Sequence, residues 1–244
     1  RVLLTRVAAE KALPFEVKVP NATTIAAMQE ARKIGKARFK SADELMRDLR
    51  IALVQVDEQW SFIKKKQKHR KENDPPELGD QWTYVAVDPV HKAVPAFLVG
   101  KRTSESARAF VRDLRSRILG RFQVTSDGHK PYVEAFAEEC GDSVDFAQLV
   151  KQYSHDENEA RGLRPGAKRF IGSEHQVITG KPDPEEISTS GIERVNLSAR
   201  MEEARFARKT LRHSKDLRQH RAAVALYYTY FNLARFHQSI RTTP

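Results

Sequence analysis

Three acidic residues carry the chemical interest of this sequence. Asp57 follows the apolar run Ile51-Ala-Leu-Val-Gln-Val56, Asp127 sits within Thr125-Ser-Asp-Gly-His129, and Glu193 comes three residues after Ser190. Taken singly, each has a plainer explanation. An Asp at a strand end starts a turn, Asp-Gly is a common turn pair, and Ser-x-x-Glu is the spacing of a helix capping box. Taken together they suggest more. Two of them end predicted strands, where open α/β sheets place ligands, and the third opens a helix after a long loop. They stand 70 and 66 residues apart, so only a folded sheet could unite them. Phosphodiester chemistry gives a reason for three carboxylates. Two divalent ions roughly 3.5–4 Å apart can activate an attacking oxygen and stabilise a leaving one. A hard ion such as Mg²⁺ takes oxygen ligands and keeps several waters, so a few carboxylates suffice.

The elements that must position these acids follow from periodicity and turn residues. Strands are expected over 51–56, 81–87 and 93–99, forming an antiparallel meander. An amphipathic helix over 104–119 buries Ala107, Phe110, Val111, Leu114 and Ile118. A strand over 121–125, a helix over 132–140 and a strand over 143–146 come next. Residues 162–186, rich in Gly, Pro and charge, read as a mobile loop, and a long helical region runs from Ile192 to about Phe236. Strands followed by alternating helices and strands make an α/β domain, a mixed sheet flanked by helices. The first fifty residues differ: short, mainly helical pieces poor in large apolar side chains, with a capping box at Ser41-Ala-Asp-Glu44. They are expected to wrap around a partner.

The charge balance points the same way as the acids. With 43 Lys and Arg against 32 Asp and Glu, the net charge is +11 and the pI about 9.8. Such an excess suits a polyanion, because each phosphate neutralised releases counterions. An anionic membrane surface would attract it equally, but no apolar run approaches the roughly 20 residues of a spanning helix. Nine Lys and Arg against three acids lie between Arg194 and Arg221. Of these, Arg194, Arg200, Arg205, Arg208, Lys209, Arg212 and Lys215 are candidates to track DNA phosphates beside Glu193, although part of the set fits a solvated helix face. A second basic cluster, Lys64 to Lys71, is as readily a hairpin tip. Tyr227, Tyr228, Tyr230, Phe231 and Phe236 read as core and docking residues. The single cysteine, Cys140, excludes an internal disulfide and a cysteine-clustered zinc site, and fits a reducing cytoplasm. No signal peptide is visible. The chain starts at Arg1 with no initiator Met, so an upstream portion is expected.

Beyond these residue-level readings, Val56-Asp-Glu-Gln-Trp-Ser-Phe62, Thr125-Ser-Asp-Gly-His129, Ile192-Glu-Arg-Val-Asn-Leu-Ser198 and the ending Tyr230 to Pro244 resemble the catalytic blocks of insertion-sequence-one-type transposases, in order and in spacing. The resemblance covers about 51–244. It implies a ribonuclease-H-like fold with Asp57, Asp127 and Glu193 as an aspartate–aspartate–glutamate triad. It also implies a two-metal Mg²⁺ or Mn²⁺ site, and hydrolysis at the 3′ ends of an element followed by their joining to target DNA. A homo-oligomeric active form and a bacterial cytoplasmic setting go with it, and His129 and His237 fall in these blocks as candidates to position DNA or a water. The zinc ribbon and helix-turn-helix that such transposases carry ahead of the first strand have no counterpart here. Residues 1–50 instead resemble the C-terminal half of a RelB/DinJ-type antitoxin, through Leu4 to Phe15, Val19 to Thr24 and Lys40 to Leu49. That half wraps a ribonuclease toxin. The expectation is therefore a fusion of leader (1–50) and catalytic domain (51–244), joined near Leu49 to Ala52. The alternative is a non-catalytic remnant whose leader still binds a toxin.

Overall fold

The computed structural model describes residues 50–154, 170–207 and 211–244. The antitoxin-like leader, except Arg50, lies outside the described residues, as do Arg208 and Lys209.

Six strands form one sheet in the order β3-β2-β1-β4-β5-β6. β1 (Leu53–Ile63), β2 (Gly79–Val87) and β3 (Ala96–Gly100) make the antiparallel meander. β4 (Phe122–Ser126) then lies parallel to β1, and β5 (Val144–Tyr153) parallel to β4. β6 (Phe170–Thr179) closes the edge antiparallel to β5. An antiparallel meander continued by parallel strands reached through helices is the ribonuclease-H-like arrangement.

Both faces of the sheet are covered. α1 (Ser104–Arg117) and α2 (Pro131–Cys140) pack on one, where Val54, Val56, Tyr84 and Ala86 meet Phe110, Leu114, Phe136 and Phe146. α3 (Ser190–Glu202) and α4 (Leu217–Leu233) cover the other, where Val85 and Val87 meet Ile192, Val195, Tyr228 and Phe231. Successive residues of a strand point to opposite faces, so Tyr84 to Val87 are all buried, alternately in the two cores. Among the five C-terminal aromatics, Tyr227, Tyr228 and Phe231 are buried, whereas Tyr230 and Phe236 are exposed. Among the described residues, no helix is long and apolar enough to cross a membrane.

Four expectations change. β1 does not stop before Asp57 but runs on to Ile63, because β2 pairs it along its whole length. The supposed loop 162–186 contains β6, whose residues are mostly exposed and so show no buried periodicity. It ends in a turn at Gly180, φ +74°, where a Cβ would fall 2.2 Å from the Asp145 carboxylate. The long C-terminal helix is two helices. Between them the chain returns to the end of β1, where Ser214 O accepts from Lys64 N at 2.7 Å. Buried His220 joins Ser214 Oγ (2.8 Å) to Ser61 Oγ (3.2 Å), and the Asp216 side chain caps α4. Finally, Ser190 is the first residue of α3 rather than its cap. Thr189 precedes the helix, and its hydroxyl donates to Glu193 at 2.8 Å.

Candidate active site

The register of the sheet brings the two aspartates together. Val56 and Ser126 are the last Cα partners of the parallel β1–β4 pair, so Asp57 and Asp127 are each the next residue along neighbouring strands. Beyond Ser126 the Asp-Gly turn leaves the sheet, with His129 N donating to Asp127 Oδ1 at 3.1 Å. Asp57 stays within β1, flanked on that side by the space β4 vacates. One oxygen each from Asp57, Glu58 and Asp127 lies within 4.8 Å of the others.

Glu193 arrives from the opposite direction, on the first turn of α3. That helix is fixed to β1 by polar side chains that alternate with the apolar ones. Gln55 Oε1 accepts from Ile192 N (3.0 Å), Gln59 Nε2 donates to Asn196 O (3.1 Å), and Asn196 Nδ2 donates to Asp57 Oδ2 (2.8 Å). Glu193 also accepts from Lys151 Nζ on β5. Asp57, Asp127 and Glu193 line one cavity of about 760 Å³, with Lys151, Arg102 and His129 in its wall.

The electrostatics differ from one carboxylate to the next. Burial, reinforced by Asp127, raises the Asp57 carboxyl from 3.8 to about 6. Burial likewise raises Glu58 from 4.5 to about 7, although Arg102 favours its charge, as does the Tyr132 hydroxyl, which lies close but outside hydrogen-bonding geometry. Glu193 goes the other way: partial burial opposes it, yet hydrogen bonds from Lys151 and Thr189 hold it below the usual carboxylate range. Burial and then the Arg102 charge lower His129 to about 4, keeping its ring neutral near pH 7.

The other expected residues divide. Arg194 and Arg200 line a second cleft, of about 410 Å³, shared with Asp57 and Glu193. Arg205, Arg212 and Lys215 lie beyond the end of α3, on the irregular segment, so they cannot continue a helical stripe with those two. Arg205 is engaged with Glu203 and Ser214, and Lys215 contacts His213. In the basic loop after β1, Lys65 is paired with Asp74 at 2.8 Å. His237 does not join His129. It packs on Phe231, with Nε2 3.2 Å from the Phe231 carbonyl, and lines a different cavity. Glu58, Lys151 and Asn196 were not foreseen. Glu58 stands beside Asp57, but strand alternation assigns it to the opposite face, and nothing local marks Lys151 or Asn196.

Residues 1–49 match the family model described as RelB antitoxin. No curated protein matches the chain in sequence. Solved structures similar to it include the simian T-cell lymphotropic virus intasome in complex with PP2A regulatory subunit B56 gamma, at 12% identity over 79% of this chain and 52% of that one, TM-score 0.43. The piggyBac transposase synaptic complex with hairpin DNA has 12% identity over 86% of this chain and 52% of that one, TM-score 0.37. The Mos1 transposase paired-end complex with left transposon end has 13% identity over 59% and 56%, TM-score 0.26. The chain thus spans about half the length of these structures.

Proposed function

We propose that the chain is a DDE-type DNA transposase, catalysing metal-dependent phosphodiester hydrolysis and strand transfer of an insertion element. The observation that carries this reading is the convergence of Asp57, Asp127 and Glu193 on one cavity from positions far apart in the sequence. The donors fit a divalent ion of the Mg²⁺ or Mn²⁺ class: all are carboxylates, and Glu58 Oε1 is buried with no hydrogen-bond partner. Asp57 and Asp127 would hold the ions and Glu193 would complete the second position. Bound there, such ions lower the cost of charge on the attacking and leaving oxygens.

The chain's own residues supply the rest. Asn196 and the Glu58 backbone amide fix the two oxygens of Asp57. Lys151 and Thr189 hold Glu193 ionised and oriented. Arg194 and Arg200 border the carboxylates, where phosphates must lie, and neutral His129 can orient a water from the cavity wall. Hydrolysis forms a bond from water oxygen to phosphorus and breaks the P–O3′ bond. In strand transfer the freed 3′-hydroxyl replaces water as nucleophile, and the target's own P–O3′ bond breaks as the new P–O bond forms. The active form is read as a homo-oligomer, with DNA as the partner.

The test is cleavage and joining of labelled duplex DNA in Mg²⁺ and in Mn²⁺, with Asp127→Asn and Glu193→Gln beside the parent chain. Ions in such sites contribute several kcal/mol, so each variant should lose at least about 10²-fold in rate while DNA binding persists. Undiminished activity in both variants would refute the assignment. The RelB match over residues 1–49 favours a second reading, a non-catalytic remnant that captures a ribonuclease toxin. Under it the parent chain is inert on DNA in either metal, but binds and inhibits a small basic ribonuclease through its leader.

A further inference from the structure

Glu58 is a buried acid that the three-carboxylate scheme does not use. Its side chain is 1% exposed, an uncommon state for a carboxylate unless something compensates its charge. Arg102 Nη2 donates to Oε2 at 3.0 Å, and His129 Nδ1 lies 4.0 Å from the same oxygen. Oε1 makes no hydrogen bond, the Tyr132 hydroxyl standing close but outside bonding geometry. A Glu kept for its ion pair with Arg102 alone would not leave half its carboxylate unsatisfied, since an orphaned buried acceptor costs about 1–3 kcal/mol.

What faces Glu58 explains it better. One of its oxygens lies within 4.8 Å of an oxygen of Asp57 and one of Asp127. Oxygens bound to a single Mg²⁺ at about 2.1 Å can be no more than ~4.2 Å apart, so this trio needs only a small closing movement to share an ion. Glu193, held aside by Lys151 and Thr189, is not in that trio. Adjacent residues of a strand point to opposite faces, yet both can reach a common point where the neighbouring strand has ended. β4 ends at Ser126, which lets Asp57 and Glu58 approach Asp127 from the two sides.

We propose that Glu58 is a direct ligand of the divalent cation, so that Asp57, Glu58 and Asp127 make one carboxylate set while Glu193 serves the second position. The assignment rests on the reading of this cavity as a metal-dependent phosphodiester centre. It adds a fourth acid, and gives Arg102 the role of holding the Glu58 carboxylate in place through Oε2.

Mn²⁺ alone is the probe, followed by electron paramagnetic resonance titration of the full chain without DNA. Glu58→Gln keeps the shape and the Arg102 contact but removes the charge. Mn²⁺ affinity should fall at least 10–100-fold, roughly what loss of even an outer-shell partner costs, while the circular dichroism spectrum stays that of the parent. Asp57→Asn should lose binding as severely. If Asp57→Asn loses Mn²⁺ and folded Glu58→Gln binds like the parent, the Glu58 assignment is overturned and the wider reading stands. A parent chain that binds no Mn²⁺ overturns both. Should Glu58→Gln not fold, Glu58→Asp retains the charge and withdraws the oxygens by one methylene. Weakened Mn²⁺ binding there supports the ligand role, and unchanged binding ends it.

Discussion

Asp57 and Glu58 are neighbours in sequence, and burial acts on both in the same direction. In the folded chain their carboxyls sit at about 6 and about 7, against ordinary values of 3.8 and 4.5. Between the ordinary and the folded values, the folded chain keeps protons that the unfolded chain has released. Stability must therefore be greatest at low pH with respect to these two groups, and be lost as pH rises through about 6 to 7. A shift of one unit corresponds to 1.36 kcal/mol, so each carboxyl contributes up to about 3 kcal/mol. The melting temperature in EDTA should fall between about pH 4 and pH 7, and Mn²⁺ should restore it at the upper end. Asp57→Asn should flatten the profile. A melting temperature in EDTA that rises across this range would show that these acids are not strained by ionisation. Sequence alone singles out Asp57, Asp127 and Glu193 because two of them follow predicted strands, the third opens a predicted helix, and metal-assisted phosphodiester chemistry gives a reason for three acids. Glu58 stayed hidden, since its burial depends on Arg102 and α2, which no local pattern announces.

α3 is the element on which the geometry turns, because it carries Glu193 and reaches Asp57 through Asn196. Its docking depends on Gln55, a buried polar residue within the apolar start of β1. The Gln55 side chain is the acceptor for the Ile192 amide. Gln55→Leu would leave that amide without a partner, at a cost of about 1–3 kcal/mol. For a domain of this size that is a drop of roughly 2–4 °C in melting temperature per kcal/mol. The same change should lower the cleavage rate with little effect on DNA affinity, since it displaces Glu193 and leaves the basic surface intact. A destabilised variant with full turnover would separate the docking of α3 from catalysis. The strands and helices of the sheet's core were legible wherever burial was one-sided or complete, as in β2, α1 and α2. The sequence pattern shortens β1 because Asp57, Glu58 and Gln59 interrupt its apolar run, although Asp57 and Gln59 bond to Asn196 of α3 and Glu58 pairs with Arg102. β6 escaped because its residues are exposed, and the helix break after Glu202 because tertiary contacts at Ser214 and His220 override the local helical pattern.

At the scale of the whole molecule the sequence spoke plainly through charge: a net +11 that asks for a polyanion. The structure narrows where that charge can act. Arg194 and Arg200 share a cleft with Asp57 and Glu193, so under the proposed function DNA seated for chemistry passes over them. Arg108, on the outer side of α1, is paired with Glu138 and offers a matched control. Each phosphate contact removed should reduce the slope of log affinity against log salt by about 0.9 for duplex DNA. The Arg194→Gln and Arg200→Gln double variant should therefore lower the slope by nearly two units, weakening binding evenly across unrelated sequences. Arg108→Gln should leave the slope unchanged. Titrating a labelled duplex at several salt concentrations distinguishes the cases. If the double variant keeps the parent slope, DNA does not lie along the carboxylate cleft, and the basic excess serves some other face of the molecule.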